Sequence, residues 1–267
     1  MAELVYAYGS EPYAERIEGS TPSVPTRMNL TPFIIYEDDN ILAINKPAGI
    51  VVHPDGRTKE DSVSEWFGKK YPKSKTVGEP IKLKNGDIVE REGIVHRIDR
   101  DTSGILLLAK TESGFMTLKR QFQDREIEKI YHAFLYGMLK EDHGTIKLPI
   151  ARSTSDFRKW SAERGARGEK REAITYFQVM KKNKEVTFVE AKPKTGRTHQ
   201  IRVHFKALQH PVVCDKLYAP SKPALLGFER LALHARQVSF KDTKGQKHTV
   251  VAEYPEDFKN ALENMKV

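Results

Sequence analysis

The chain has little of what several protein classes depend on. Among its 267 residues there is one cysteine, Cys214, so an internal disulfide is impossible and a cysteine-rich metal site is excluded. No apolar run approaches the ~18 consecutive residues of a bilayer-spanning helix, so no membrane span is expected. Residues 1–10 carry Glu3, and no apolar run follows a basic start; no secretory signal is expected either. Gly-x-x-x-x-Gly-Lys-Ser/Thr and Gly-x-Ser-x-Gly are missing. That removes the phosphate-cradling loop of nucleotide hydrolases and the serine nucleophile elbow. These absences predict a soluble protein of a reducing compartment, the cytoplasm.

What is present points to a folded, basic protein. Hydrophobic residues make up 39%, with twelve Phe and ten Tyr, too many for a disordered chain. Lys and Arg number 45 against 36 Asp and Glu, a formal charge of +9. That charge is not spread evenly. Residues 152–206 hold 15 Lys+Arg and 6 Asp+Glu, so the rest of the chain is neutral in total. Such a segment is the footprint of a phosphate-binding face, although a solvated loop and strand surface has the same composition.

Gly19-Ser20-Thr21-Pro22 and Pro25 punctuate residues 1–30, which read as an extension with a short strand at Leu4–Tyr8, ahead of one domain at 31–267. Phe33–Tyr36 and Ile41–Ile44 predict a hairpin across Glu37–Asn40. Further strands are expected at Ile105–Ala109, Ile130–Leu139, Ile174–Met180, Val186–Ala191, Leu231–Phe240 and Thr249–Glu253. Helices are expected at Ser62–Lys70, Glu112–Asp124, His199–Leu208 and Pro255–Met265, the last with Pro255 in its first turn. Strands outnumber helices and tight turns join many of them. The fold class is therefore α+β with a mostly antiparallel sheet.

Two clusters carry chemistry. In His96-Arg97-Ile98-Asp99-Arg100-Asp101-Thr102-Ser103-Gly104, carboxylates alternate with arginines just before an apolar strand. Arginine neighbours favour an ionised Asp, and a loop backed by a buried strand suits catalysis. A structural salt-bridge corner, with Thr102–Gly104 as its turn, fits the same residues. In Lys194-Thr195-Gly196-Arg197-Thr198-His199-Gln200-Ile201-Arg202-Val203-His204, Thr198 can cap the following helix and Arg202 lies about one turn inside it, where it could pair with a carboxylate such as Asp99; a surface arginine on a solvated helix face fits the same pattern. His199 and His204 are five apart with no Glu between them, so no metal site is expected. Cys214, in Val212-Val213-Cys214-Asp215, reads as packed, not reactive.

Taken together these segments resemble the RluA-type pseudouridine synthases. His96–Asp99 with Thr102–Gly104 resembles the family's catalytic loop, and Gly196–His204 its second signature. Lys129-Ile130-Tyr131-His132-Ala133 matches the Lys-x-Tyr-x-Ala strand and Asn45–Gly49 the opening segment. His210–Asp215 and Leu231–Ala235 match later blocks. The chain departs from the pattern at Cys214, where the family usually has glycine, and in an extension unlike the small RNA-binding module of many relatives.

The resemblance implies the pseudouridine synthase fold with a central cleft, and isomerisation of uridines in ribosomal RNA or tRNA without a cofactor. It implies Asp99 as catalytic carboxylate, Arg202 as its ion-pair partner, and Tyr131 stacked on the uracil. Arg97 would fill the space a flipped nucleotide leaves, and His96 and Arg197 would border the substrate. Lys159 and Arg167, within the run Arg152, Arg158, Arg164, Lys170 and Arg171, would track RNA phosphates. A monomer is expected. An RNA-binding protein without catalysis, and a small-molecule hydrolase using Asp99 and His96, are the competing readings; the first leaves Asp99 without a purpose and the second leaves the basic segment without one.

Overall fold

The computed structural model describes residues 28–54, 61–82, 88–89, 92–163 and 166–265. The expected extension over 1–27, with its Leu4–Tyr8 strand, and Arg164 of the basic run lie outside the described residues. In chain order the first half holds β1 (Ile34–Glu37), β2 (Ile41–Lys46), α1 (Val63–Lys70), β3 (Ile81–Lys82), β4 (Ile88–Val89), β5 (Ser103–Ala109), α2 (Glu112–Gln123) and β6 (Glu128–Tyr136). Then follow β7 (His143–Lys147), β8 (Ile150–Arg152), β9 (Trp160–Ser161), β10 (Arg167–Arg171), β11 (Ile174–Lys182), β12 (Val186–Pro193), α3 (Gln200–Ala207), β13 (Leu233–Lys241), β14 (Lys247–Val251) and α4 (Glu256–Asn264). The main sheet has nine strands in the order β1-β2-β5-β13-β6-β12-β11-β7, with β14 also on β13. Within it only β5 and β13 are parallel. The fold is α+β.

Local chemistry sets several of these elements. Asp38 Oδ1 accepts the N–H groups of Asn40 and Ile41, at 2.7 and 2.6 Å, and so closes the first hairpin. Phe33 belongs not to the strand but to a 3-10 turn, Thr31–Phe33, opened by Pro32, whose fixed φ suits a helical start. Ser62 and Glu65 form a reciprocal capping box at α1, and Thr111 accepts the Gly114 N–H at α2. Pro255 stands at the cap of α4 and not inside it.

The run Ile105–Ala109 is buried on both faces because a helix covers each side. Ile105, Leu107 and Ala109 pack with Phe115 and Leu118 of α2. Leu106 and Leu108 point the other way, against Val63, Trp66 and Phe67 of α1. Strand alternation thus splits one apolar run between two cores. A third core joins β6, β12, α3 and α4 around Phe134, Phe188, Phe205 and Phe258.

The two halves of the sheet meet at a narrow seam. β5 and β13 pair only at Ser103 with His234 and Gly104 with Ala235. Gly104 has φ +109, and a Cβ there would lie 2.3 Å from the Ala235 carbonyl oxygen. Only glycine allows this approach. Ser103 and Gly104 are therefore the first residues of a central strand and not, as one sequence reading had it, part of a turn. Across the seam Ala235 faces Tyr131 of β6, which faces Ala191 of β12.

Residues 150–171 form a small separate sheet, β10-β8-β9. It rests on α3 through Ile150, Trp160, Val203 and Tyr218. Its strands run two to five residues and β10 is almost wholly exposed, so no apolar alternation marks them in the sequence.

Candidate active site

The loop before β5 is clamped from beneath by the end of β2. Lys46 is fully buried, and its Nζ donates to the carbonyls of Pro47 (2.7 Å), Ile50 (2.8 Å) and Arg100 (2.9 Å). All three ammonium donors are used. Gly49, at φ +85, turns the chain so that its N–H also donates to Arg100 O at 2.9 Å. Within the loop the Thr102 N–H donates to Asp99 O. From the far side Arg230, held by Asp257 at the start of α4, donates to Asp101 O at 3.2 Å. The carboxylate of Asp99 thus stands on a backbone fixed from two directions.

Arg202 of α3 reaches across from the other half of the molecule. Its Nη1 donates to Asp99 Oδ2 at 2.8 Å, while Nε and Nη2 donate to the two oxygens of Asp215 at 2.8 and 2.9 Å. A buried ion is costly unless every polar group is matched, and here the planar guanidinium meets two carboxylates. Asp215 Oδ1 also accepts the N–H groups of Leu217 and Tyr218. Burial tends to raise the Asp99 carboxyl, but the charges of His199, Arg202 and Arg97 and the hydrogen bond from Arg202 outweigh it. Its pKa is pushed down to about 2. Burial opposes the charge on Arg202, and the two carboxylates reverse that and hold it protonated. The Asp99 side chain is 20% exposed, so a fixed anion is open to solvent.

Asp215 had no role in the sequence reading, although the His210–Asp215 block contains it. Its placement depends on Cys214, which takes φ 56, the left-handed conformation that glycine adopts most easily. The turn survives the substitution. The thiol donates to Phe228 O at 3.1 Å and burial raises its pKa, as expected of a packed cysteine. His199 was also without a role. Its Nε2 lies 3.8 Å from Asp99 Oδ1, and its Nδ1 is 2.9 Å from the Tyr218 hydroxyl. His199 itself, at φ 55, is the N-cap residue of α3. The expected Thr198 cap is absent because the backbone turns left-handed one residue later. Gln200 closes this bend by accepting from Arg197 N–H and Thr195 Oγ1.

Tyr131 is half-buried on β6, between Ala235 and Ala191. Small neighbours on both sides leave its ring room. It packs at the border of two cores. Burial first, and then the charge of Asp99, push its phenol above the ordinary tyrosine value. It is therefore neutral at physiological pH.

The remaining predicted residues divide into two groups. Arg97 is exposed, and its charge bears on Asp99. Arg197 is half-buried and donates from Nε to Glu172 O at 2.9 Å. His96, by contrast, is taken up by the fold. Its Nε2 accepts the Leu107 N–H at 2.9 Å, its ring lies against Phe122 at 4.6 Å, and burial, then Lys129, lower its pKa to about 3. Lys159 lies between β8 and β9 and Arg167 begins β10, both on the small sheet. Beside them, Arg158 is engaged by Asp156 and Arg152 stacks at 4.3 Å on the buried Trp160. His204 contacts Thr175 Oγ1 and Leu148 O.

A family model described as RNA pseudouridylate synthase matches residues 40–207, a span that includes Lys46, Asp99, Tyr131 and Arg202. The chain is 37% identical over 208 residues to the dual-specificity RNA pseudouridine synthase RluA of Vibrio cholerae, covering 78% of this chain and 76% of that protein. It is 35% identical over 232 residues to the ribosomal large subunit pseudouridine synthase D of Zymomonas mobilis, covering 84% and 69%. Human RNA pseudouridylate synthase domain containing 4 shares the fold, with a TM-score of 0.68 at 24% identity over 89% of this chain and 94% of that one. The chain belongs to the RNA pseudouridylate synthase family, in its RluA branch, and is an isomerase that converts uridine in RNA to pseudouridine.

Proposed function

We propose that the enzyme modifies uridines in ribosomal RNA or transfer RNA, with Asp99 as the carboxylate that acts on the target nucleotide. The observation that carries this reading is the three-membered chain Asp99–Arg202–Asp215, which keeps one partly exposed carboxylate anionic. The reaction breaks the bond from ribose C1′ to uracil N1, turns the base, and joins C1′ to C5. The C5 proton leaves and N1 gains one, so atoms balance without an oxidant or an energy source. Attack on the ribose or the base, and removal of a sugar proton, each require the ionised form of Asp99. With Oδ2 held by Arg202, Oδ1 is the oxygen that meets the nucleotide.

Tyr131 stacks on the uracil, and its neutral phenol relays a proton at C5. A uridine inside a folded RNA leaves its stack to enter the cleft, at a cost of a few kcal/mol. Arg97, exposed beside the carboxylate, occupies the gap in the RNA. Lys159, Arg167 and Arg197 bind phosphates on the approach. The relatives named for ribosomal large subunit and for dual specificity support the choice of substrate class. The same reading takes residues 31–267 as the catalytic domain of a cytoplasmic monomer. No helix among the described residues is long and apolar enough to cross a membrane.

The test is tritium release from total cellular RNA labelled at uridine C5. Wild type releases tritium, and Asp99→Asn is slower by about 10³-fold or more. Equal release by the two proteins overturns the role of Asp99. Mapping pseudouridines in cells with and without the gene identifies the RNA, and sites confined to messenger RNA would overturn the substrate class.

A further inference from the structure

Lys129 precedes Tyr131 by two residues on β6. Strand alternation puts both on one face, about 7 Å apart along the strand. Its stem lies over Phe122, with Nζ 5.9 Å from the ring centre, and Phe122 in turn stacks on His96. Among the described residues Lys129 Nζ has neither an acidic partner nor a hydrogen bond. Its charged neighbours are of its own sign. Burial, and then Lys194, push its pKa down to about 8. Arg197 is likewise depressed by burial and by the charges of Arg171 and Arg125, with Glu172 as the only opposing carboxylate.

Facing this group is Gly196, in the bend before α3. Its φ lies outside the left-handed region, so the backbone does not call for glycine there. A Cβ at Gly196 would meet one atom within 4 Å, Lys129 Nζ at 3.8 Å. The missing side chain leaves an exposed opening directly over a cation that the fold does not neutralise. A half-buried ammonium without a counter-charge is unfavourable alone and is satisfied by an anion entering from solvent.

We propose that Lys129 and the backbone at Gly196, with Lys194 at the rim, form a binding subsite for one phosphodiester group of the RNA, adjacent to the target nucleotide. This rests on the functional reading above and deepens it. The ligand is a polynucleotide phosphate and not a free phosphate, because the opening lies beside Tyr131 along the same strand face. The bound phosphate fixes how the strand enters the cleft, which makes Lys129 and Gly196 positioning residues.

The experiment uses the full chain and a fluorescein-labelled RNA stem-loop with uridines in its loop. Lys129→Met keeps the stem against Phe122 and removes the charge. Gly196→Ala adds a methyl that the protein alone accommodates. Both variants are expected to unfold in urea as wild type does and to bind the RNA about tenfold more weakly. In Lys129→Met the slope of log affinity against log salt becomes shallower by about 0.7 to 0.9, one phosphate contact. Inorganic phosphate at equal ionic strength does not displace the RNA more than chloride does. Displacement specific to phosphate makes this a free-anion site and overturns the proposal. So do wild-type affinity in both variants, or weaker binding of Lys129→Met with an unchanged slope. Wild type that binds the stem-loop but releases no tritium from labelled RNA defeats the functional reading, a result separate from these.

Discussion

Asp215 grips Arg202 through two hydrogen bonds, to Nε and Nη2, and so turns Nη1 toward Asp99. The Asp99 carboxylate is thereby tied to a second carboxylate that does not reach solvent, since the Asp215 side chain is fully buried. Two anions share one cation. The orientation of the guanidinium, and not merely its charge, is what Asp215 supplies.

Replacing Asp215 therefore tests orientation. Asp215→Ala strands a buried guanidinium and is expected to cost about 3–5 kcal/mol of stability. Asp215→Asn keeps one acceptor for Arg202 and loses the charge. For it we expect kcat to fall by about 10²-fold with little change in KM for RNA, as for a loss felt in the transition state. Urea denaturation and steady-state tritium release separate the two effects.

The acid side of the stability profile reports on Asp99. Its folded pKa lies near 2, below the ordinary 3.8, so the unfolded chain binds the proton first. The stability it contributes is fully present above about pH 4 and is lost as the pH falls toward 2. The difference in unfolding free energy between wild type and Asp99→Asn should shrink over that window and stay constant from pH 5 to 8. A difference that changes near neutral pH would contradict an ionised Asp99.

Gly104 tests the seam between the half-sheets. Gly104→Ala places a methyl 2.3 Å from Ala235 O at φ +109, and backbone cannot yield as a side-chain tip does. A loss of about 3 kcal/mol or more is expected, with activity reduced in whatever fraction still folds. Thermal unfolding and tritium release per folded molecule give the two numbers.

On the small sheet the cations are not equivalent. Lys159→Glu with Arg167→Glu should weaken RNA binding and flatten the log–log salt dependence by roughly 1.5. Arg158→Glu should do less, because Asp156 already engages that guanidinium. Equal effects would show that the positive field, and not particular contacts, governs binding there.

Most of the fold was legible where a segment had length and a strong apolar period. The run at Ile105–Ala109, the α2 face of Phe115 and Leu118, and the first hairpin all follow from local pattern and turn chemistry. Strands β7 to β10 were not, being short and charged. His96 has a structural contact that its neighbours in the chain do not announce. Beside Arg97 and Asp99 it reads as a site residue, and its ring also satisfies the Leu107 N–H in the interior.

The sequence by itself determined the chemistry available: a carboxylate among arginines, a tyrosine on a strand, a second arginine signature, and a basic segment. Those are properties of residue type and spacing. That Arg202 meets Asp99, and that His199 lies near it, depend on segments about a hundred residues apart in the chain, and that Asp215 is the second carboxylate depends on a turn thirteen residues beyond Arg202. Only tertiary structure decided this, through the Gly104–Ala235 approach that joins the half-sheets and the left-handed turn at Cys214 that aims Asp215. Long-range contact geometry is set by packing, and packing has no period to read along the chain.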